Sequence, residues 1–156
     1  MTSDTEPSQE ELGGLLQELV NRVSHGQGKT LAVLEEASVT LQQVLLLRRL
    51  QLAGQSTASE LAAQMYISLP AASQMIDRLF DLDLVTRTEV AQDRRKKRIA
   101  PTAKARALLE RVRKARSAEY GAALAGLPPR LRLELARTVH KVLRELPLEG
   151  HRSAAA

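Results

Sequence analysis

Apolar residues recur along this chain at helical spacing, and polar breaks divide the pattern into segments. Leu12, Leu15, Leu16, Leu19 and Val23 share one stripe of a helix. Ser8-Gln9-Glu10-Glu11 has the form of a capping box at its start. His25-Gly26-Gln27-Gly28 interrupts this helix, and Lys29 to Glu36 resumes it. Thr40 can cap a helix over Leu41 to Leu52, closed by Gly54, whose nearly continuous apolar residues (Val44, Leu45, Leu46, Leu47, Leu50) predict deep burial. Thr57-Ala58-Ser59-Glu60 is a second capping box, opening a short helix to Tyr66. Ile67-Ser68 is a turn. Ser68 can cap a further helix to about Leu82, with Pro70 in its first turn and Ala72, Met75, Ile76 and Leu79 inward.

The period then changes. Val85 to Val90 alternates and is rich in β-branched residues, which predicts a strand. Lys97 to Ala100 is a shorter strand candidate, and Ala91 to Lys96 reads as the polar turn between the two. Thr102 can cap a long helix from Ala103 to Leu124. Gly126 to Pro129 breaks it, and a last helix runs from Pro129 to Leu146. The expected fold class is mainly α with a small β-hairpin. Residues 1–156 read as one domain, with polar tails at Met1–Pro7 and after Leu146.

Composition narrows the picture. The 156 residues are 44% hydrophobic but only 2% aromatic, so the core must be aliphatic. There are no cysteines, which excludes disulfides and thiolate metal sites and fits a reducing cytoplasm. No apolar run reaches about 18 residues, and the acidic N-terminal segment does not resemble a signal peptide. The net charge of +5 is unevenly spread. Residues 87–116 hold twelve Lys and Arg against three acids, the footprint expected for a polyanion partner.

Chemical motifs are absent where an enzyme would need them. Gly28-Lys29-Thr30 looks like the end of a phosphate-binding loop, but Val23 stands where that loop needs glycine. His25, His140 and His151 have no metal-ligand spacing. Tyr66, Phe80 and Tyr120 read as packing aromatics, and Arg106, Glu110 and Lys114 as an i, i+4 ladder on a solvated face. No cofactor and no catalytic set is expected.

The order of elements carries more. Two short helices joined by a turn and followed by a basic hairpin form a winged helix-turn-helix, whose second helix enters the DNA major groove. Its outward set is Ser68, Leu69, Pro70, Ala71, Ser73, Gln74, Asp77 and Arg78. Gln74 can pair bidentately with adenine, and Arg78 can reach guanine or phosphate. The hairpin supplies Arg87, Arg94, Arg95, Lys96 and Lys97.

At this point the sequence resembles the MarR (multiple antibiotic resistance regulator) family. The resemblance spans roughly Leu12 to Leu146 and is densest over Leu41 to Leu109. It rests on Val39-Thr40-Leu41-Gln42-Gln43-Val44-Leu45-Leu46, Ser59-Glu60-Leu61-Ala62, Asp77-Arg78-Leu79, Leu84-Val85-Thr86-Arg87 and Asp93-Arg94-Arg95. Asp83, Pro101 and Ala105 depart from the usual pattern. Asp83 stands at a frequent glycine, where aspartate tolerates a left-handed backbone.

The resemblance implies a homodimeric, cytoplasmic transcription regulator. Residues 40–101 would bind DNA, while 8–37 and 103–146 would form the dimer. Leu12, Leu15, Leu16, Leu19, Leu135, Val139, Val142, Leu143 and Leu146 would line the interface, their apolar stripes needing a partner. Asp93 would brace the wing and Arg95 would enter the minor groove. A pseudo-palindromic operator, repression, and release by a small aromatic or anionic effector follow from the same resemblance. Two alternatives are a dimeric interaction protein without DNA binding and a sequence-tolerant architectural DNA binder.

Overall fold

Short-range hydrogen bonds start most of the helices. The structure, a computed structural model, describes residues 6–24, 28–90 and 93–146, without the side chains of Val90 and residues 93–96. The predicted turn centre (Ala91, Gln92), His25, His151 and both tail ends lie outside the described residues. Helix α1 spans Gln9–Ser24, with Ser8 Oγ accepting from the Glu11 N–H at 3.1 Å. Helix α3 spans Leu41–Ala53 and opens with a full capping box between Thr40 and Gln43. Helix α4 spans Ala58–Met65 and uses the Thr57–Glu60 box read from the sequence. Ser68 caps α5, Leu69–Asp81.

Strands β1 (Val85–Val90) and β2 (Asp93–Pro101) pair antiparallel, with an irregularity after Glu89. Strand β2 therefore begins at Asp93, not Lys97, and the expected six-residue turn is mostly strand. Asp93 pairs with Val90 and Lys97 with Glu89, so the charged run Arg94 to Lys96 lies within β2 but has no register partner on β1. Ser56 adds a single bridge to Ile99, exchanging bonds of 3.0 and 2.8 Å. Helix α6 (Ala103–Leu124) and helix α7 (Pro129–Glu145) complete the described chain.

The core lies around α3. Leu46, Leu47 and Leu50 are fully buried, with Leu61, Leu79, Leu84, Ile99 and Leu108 packed about them. The deep burial predicted for all of α3 holds on one side only: Leu41, Leu45 and Leu52 are about half exposed. A single helix turns only one stripe toward a core, whatever the apolar content of the other. The aromatics also differ from expectation. Tyr66 is 95% exposed, and Phe80 is 46% exposed.

Thr102 joins the hairpin to α6. Its hydroxyl accepts from the Ala105 N–H at 3.1 Å and donates to the Asp83 carbonyl at 2.8 Å. Its own N–H donates to the Leu84 carbonyl. Asp83 has φ +59°, the left-handed conformation foreseen for it. Arg106 turns back to the Pro101 carbonyl, leaving Arg113 and Lys114 to engage Glu110.

Helix α2 (Lys29–Glu36) follows Gly28, whose φ is +71° and which has no side chain to cap it. Its cap comes from α6. Both oxygens of the buried Glu119 carboxylate engage Thr30, one the backbone N–H at 2.9 Å and one the hydroxyl at 2.7 Å. An anion at a helix N-terminus also meets the positive end of the helix dipole. The Thr30 N–H, and then its hydroxyl, hold the Glu119 carboxyl below the usual carboxylate range against the opposing effect of burial.

Two outcomes are expected. Thr102→Val should lower stability in urea by about 1–2 kcal/mol, since it removes both the cap and the bond to Asp83. Glu119→Gln should cost about 1–2 kcal/mol near neutral pH. Because the folded carboxyl titrates below its ordinary value of 4.5, its contribution is present above that pH and lost as pH falls through the folded value. The acid limb of the wild-type stability profile should accordingly be steeper than that of the variant.

Candidate nucleic-acid interface

Helix α5 is two-faced because its sequence is. Ala72, Ile76 and Leu79 are buried against the core. Ser68, Leu69, Pro70, Gln74, Asp77 and Arg78 are exposed, and Ala71 and Ser73 are half-buried. The structure thus gathers the predicted outward set onto one solvent-facing side. Ser68 Oγ is occupied by the Ala71 N–H at 3.3 Å, so its hydroxyl is already part of the cap.

The hairpin projects beside this face. In its register Thr88 faces Arg98 and Glu89 faces Lys97. Lys97 is exposed, and with Ser59, Leu69, Ser73, Asp77 and Arg87 it lines a cleft of about 330 Å³ between α4, α5 and the sheet. Arg98 reaches Glu60 Oε2 at 3.6 Å. Six basic residues against two acids lie between positions 87 and 98. Those at the tip, Asp93, Arg94, Arg95 and Lys96, fall where side chains are not described, so their predicted roles rest on position in β2 alone.

Arg87 is placed differently from a free wing cation. From β1 it forms an ion pair and hydrogen bond with Asp77 of α5. Its guanidinium also lies 4.8 Å from the centroid of the Phe80 ring. One residue of the sheet therefore grips two positions on the helix, three apart and on the same side. The Arg87 side chain is 24% exposed and that of Asp77 64%, so the charge is partly shielded from solvent. Sequence reasoning placed Asp77 and Arg87 in the region but did not pair them. The i, i+3 spacing of Asp77 and Phe80 was the available signal.

These parts suit DNA. A helix with small and polar outward residues can approach base edges, and a basic hairpin held at a fixed angle can follow the adjacent backbone. Among the described residues no group of three His, Asp or Glu could hold a metal, and no single helix is long and apolar enough to cross a membrane.

Residues 39–97, from the start of α3 into β2, match the MarR family model. Over that stretch the chain is similar to MarR-family proteins. That family consists of DNA-binding transcriptional regulators rather than enzymes. The fold agrees across nearly the whole chain. The YusO protein of Bacillus subtilis shares 26% identity, covers 90% of this chain and all of its own, and superposes with a TM-score of 0.67. The transcriptional regulator Tm0710 of Thermotoga maritima covers 86% of this chain and 92% of its own at 19% identity and a TM-score of 0.72. A point mutant of MepR from S. aureus, bound to an oligodeoxyribonucleotide, covers 91% of this chain and all of its own at 21% identity and a TM-score of 0.61. No curated protein sequence matches the chain.

Within the matched stretch, the Arg87 brace predicts measurable coupling. A double-mutant cycle with Asp77→Asn and Arg87→Met in urea should give about 0.5–1 kcal/mol, a modest value because Asp77 is mostly exposed. Additive effects would show that the wing and α5 are held by other contacts.

Proposed function

We propose that this protein is a sequence-specific transcriptional repressor that binds a pseudo-palindromic operator as a homodimer and is released by a small molecule. The observation that carries the reading is the solvent-facing side of α5, flanked by a basic hairpin that Arg87 ties to it. Gln74 reads a base edge, with Arg78 on guanine or phosphate. Arg94, Arg95, Lys96 and Lys97 supply affinity through the backbone and minor groove, and Asp93 relieves their mutual repulsion. The similar MepR fold bound to an oligodeoxyribonucleotide supports DNA as the partner.

Uncovered apolar surface supports the dimer. Leu12, Leu15 and Leu16 on α1 are about half exposed or more, and Leu19 is 38% exposed. No residue of α7 is buried, and Val139, Val142 and Leu143 stand exposed on it, followed by Leu146. Leu135 is half-buried. Stripes of this kind on two helices call for a partner, and two-fold pairing presents two α5 helices to successive major grooves.

A second cleft, of about 370 Å³, supports the effector. It lies between α2, the end of α5 and α6, where apolar Leu82, Leu84 and Leu108 meet Lys104, Arg111 and Glu36, with Arg111 paired to Glu36 and Lys104 donating to the Leu82 carbonyl. A small aromatic ring fits the apolar part of such a lining, and an anionic group on it would compete with Glu36 for Arg111. Action in the cytoplasm is consistent with a cysteine-free chain.

Gel shifts with an operator and a scrambled duplex, across a salt series, test the reading. With six to ten phosphate contacts, affinity should fall about a thousandfold or more between about 50 and 200 mM salt. Arg95→Ala should weaken binding to every sequence. Gln74→Ala should relax preference at one base pair by about 1–3 kcal/mol. Equal affinity for both duplexes would indicate an architectural binder, and no shift at low salt would indicate an interaction protein.

A further inference from the structure

Tyr66 breaks two local rules at once. It ends α4 with φ +54° and ψ +41°, the left-handed conformation in which glycine is least costly. The backbone there is fully engaged: the Tyr66 N–H donates to the Ala63 carbonyl, and the Ile67 N–H to that of Ala62. The turn therefore needs the conformation, and any side chain beyond a hydrogen adds strain. An aromatic ring could offset this by burial, yet Tyr66 is 95% exposed. Among the described residues, none hydrogen-bonds its hydroxyl. Stability alone does not account for a tyrosine at this position, and residues that break local rules without folding benefit concentrate at functional sites.

Its place in the fold says what it serves. Tyr66 is the first residue of the turn into α5 and stands two positions before Ser68, the cap of that helix. Ser68, Leu69 and Pro70 beside it are exposed as well. An exposed ring two positions before the cap of α5, beside exposed Ser68, Leu69 and Pro70, is within reach of a partner docked on the start of that helix. We infer that the Tyr66 phenol donates a hydrogen bond to a phosphate of the DNA strand flanking the groove that α5 enters. Tyrosine hydroxyls are among the neutral groups that position proteins on the DNA backbone. The inference rests on the DNA-binding reading and adds to it a contact outside both the base-reading face and the basic hairpin. A protein partner at the same ring is the competing explanation.

The test compares wild type, Tyr66→Phe and Tyr66→Gly by fluorescence anisotropy on a labelled mixed-sequence duplex of about 30 base pairs, with thermal unfolding of each protein. Tyr66→Phe should bind about tenfold more weakly, at an unchanged melting temperature. Tyr66→Gly should bind at least as weakly while melting at the same or a higher temperature, because glycine relieves the backbone. Neither should change the slope of affinity against salt, since a neutral donor displaces no counterion, whereas Arg95→Ala should reduce that slope by about 0.9. Wild-type affinity in Tyr66→Phe would overturn the phosphate bond and, with a binding-competent wild type, leave the DNA-binding reading intact. Loss of affinity in Tyr66→Gly alone would point to the ring and not the hydroxyl, and would overturn it equally. A wild type that binds no duplex at about 50 mM salt would overturn both.

Discussion

The hydroxyl of Thr102 is where the end of α5, the hairpin and the long helix meet. Its proton goes to the Asp83 carbonyl, and its lone pair takes the Ala105 N–H. Donor and acceptor capacity are used together, so one side chain fixes both the exit from α5 and the entry to α6. The left-handed Asp83 between them is held by the Thr102 bond on one side and by its own N–H to the Phe80 carbonyl on the other. Lys104 adds a bond to the Leu82 carbonyl at 2.8 Å. These bonds fasten the turn that leaves α5 to the first turn of α6.

The wing is fastened by other means. Its base is tied to the core by Ile99, which is buried and bridged to Ser56. At the same level of the hairpin, Arg87, the cross-strand partner of Ile99, ties it to α5 through a carboxylate and a ring on neighbouring turns. An ion pair alone would leave a swivel about one bond. The second contact on Phe80 removes that freedom, and it gives a half-exposed phenylalanine at the end of α5 a packing partner.

Much of this was legible in the sequence because the relevant forces act over three or four residues. Thr40, Thr57, Ser68 and Thr102 each accept from the N–H three positions on, and each was readable as a cap. The buried face of α5 followed from its period. What was not legible depends on distant partners. Only the i, i+3 spacing of Asp77 and Phe80 hinted at a shared partner on Arg87, and Glu119 carries no local mark of its bond to Thr30. The exposure of Leu45 was missed because apolar content says how much can be buried, while the packing of neighbouring elements decides which side is. The start of β2 was missed for a related reason: its charges describe what lies outside the strand, not how the backbone pairs.

The bond between Thr30 and Glu119 joins residues 89 positions apart. Helix α2 has no cap of its own, so during synthesis its first turn is completed only after α6 is nearly finished. At about 5–20 residues per second, roughly 4–18 seconds separate the two halves of that contact. The caps of α3, α4 and α5 come from residues within three positions and are in place well before then. Among the side-chain caps of the described helices, that of α2 is thus the last to become available, although its helix is one of the first made.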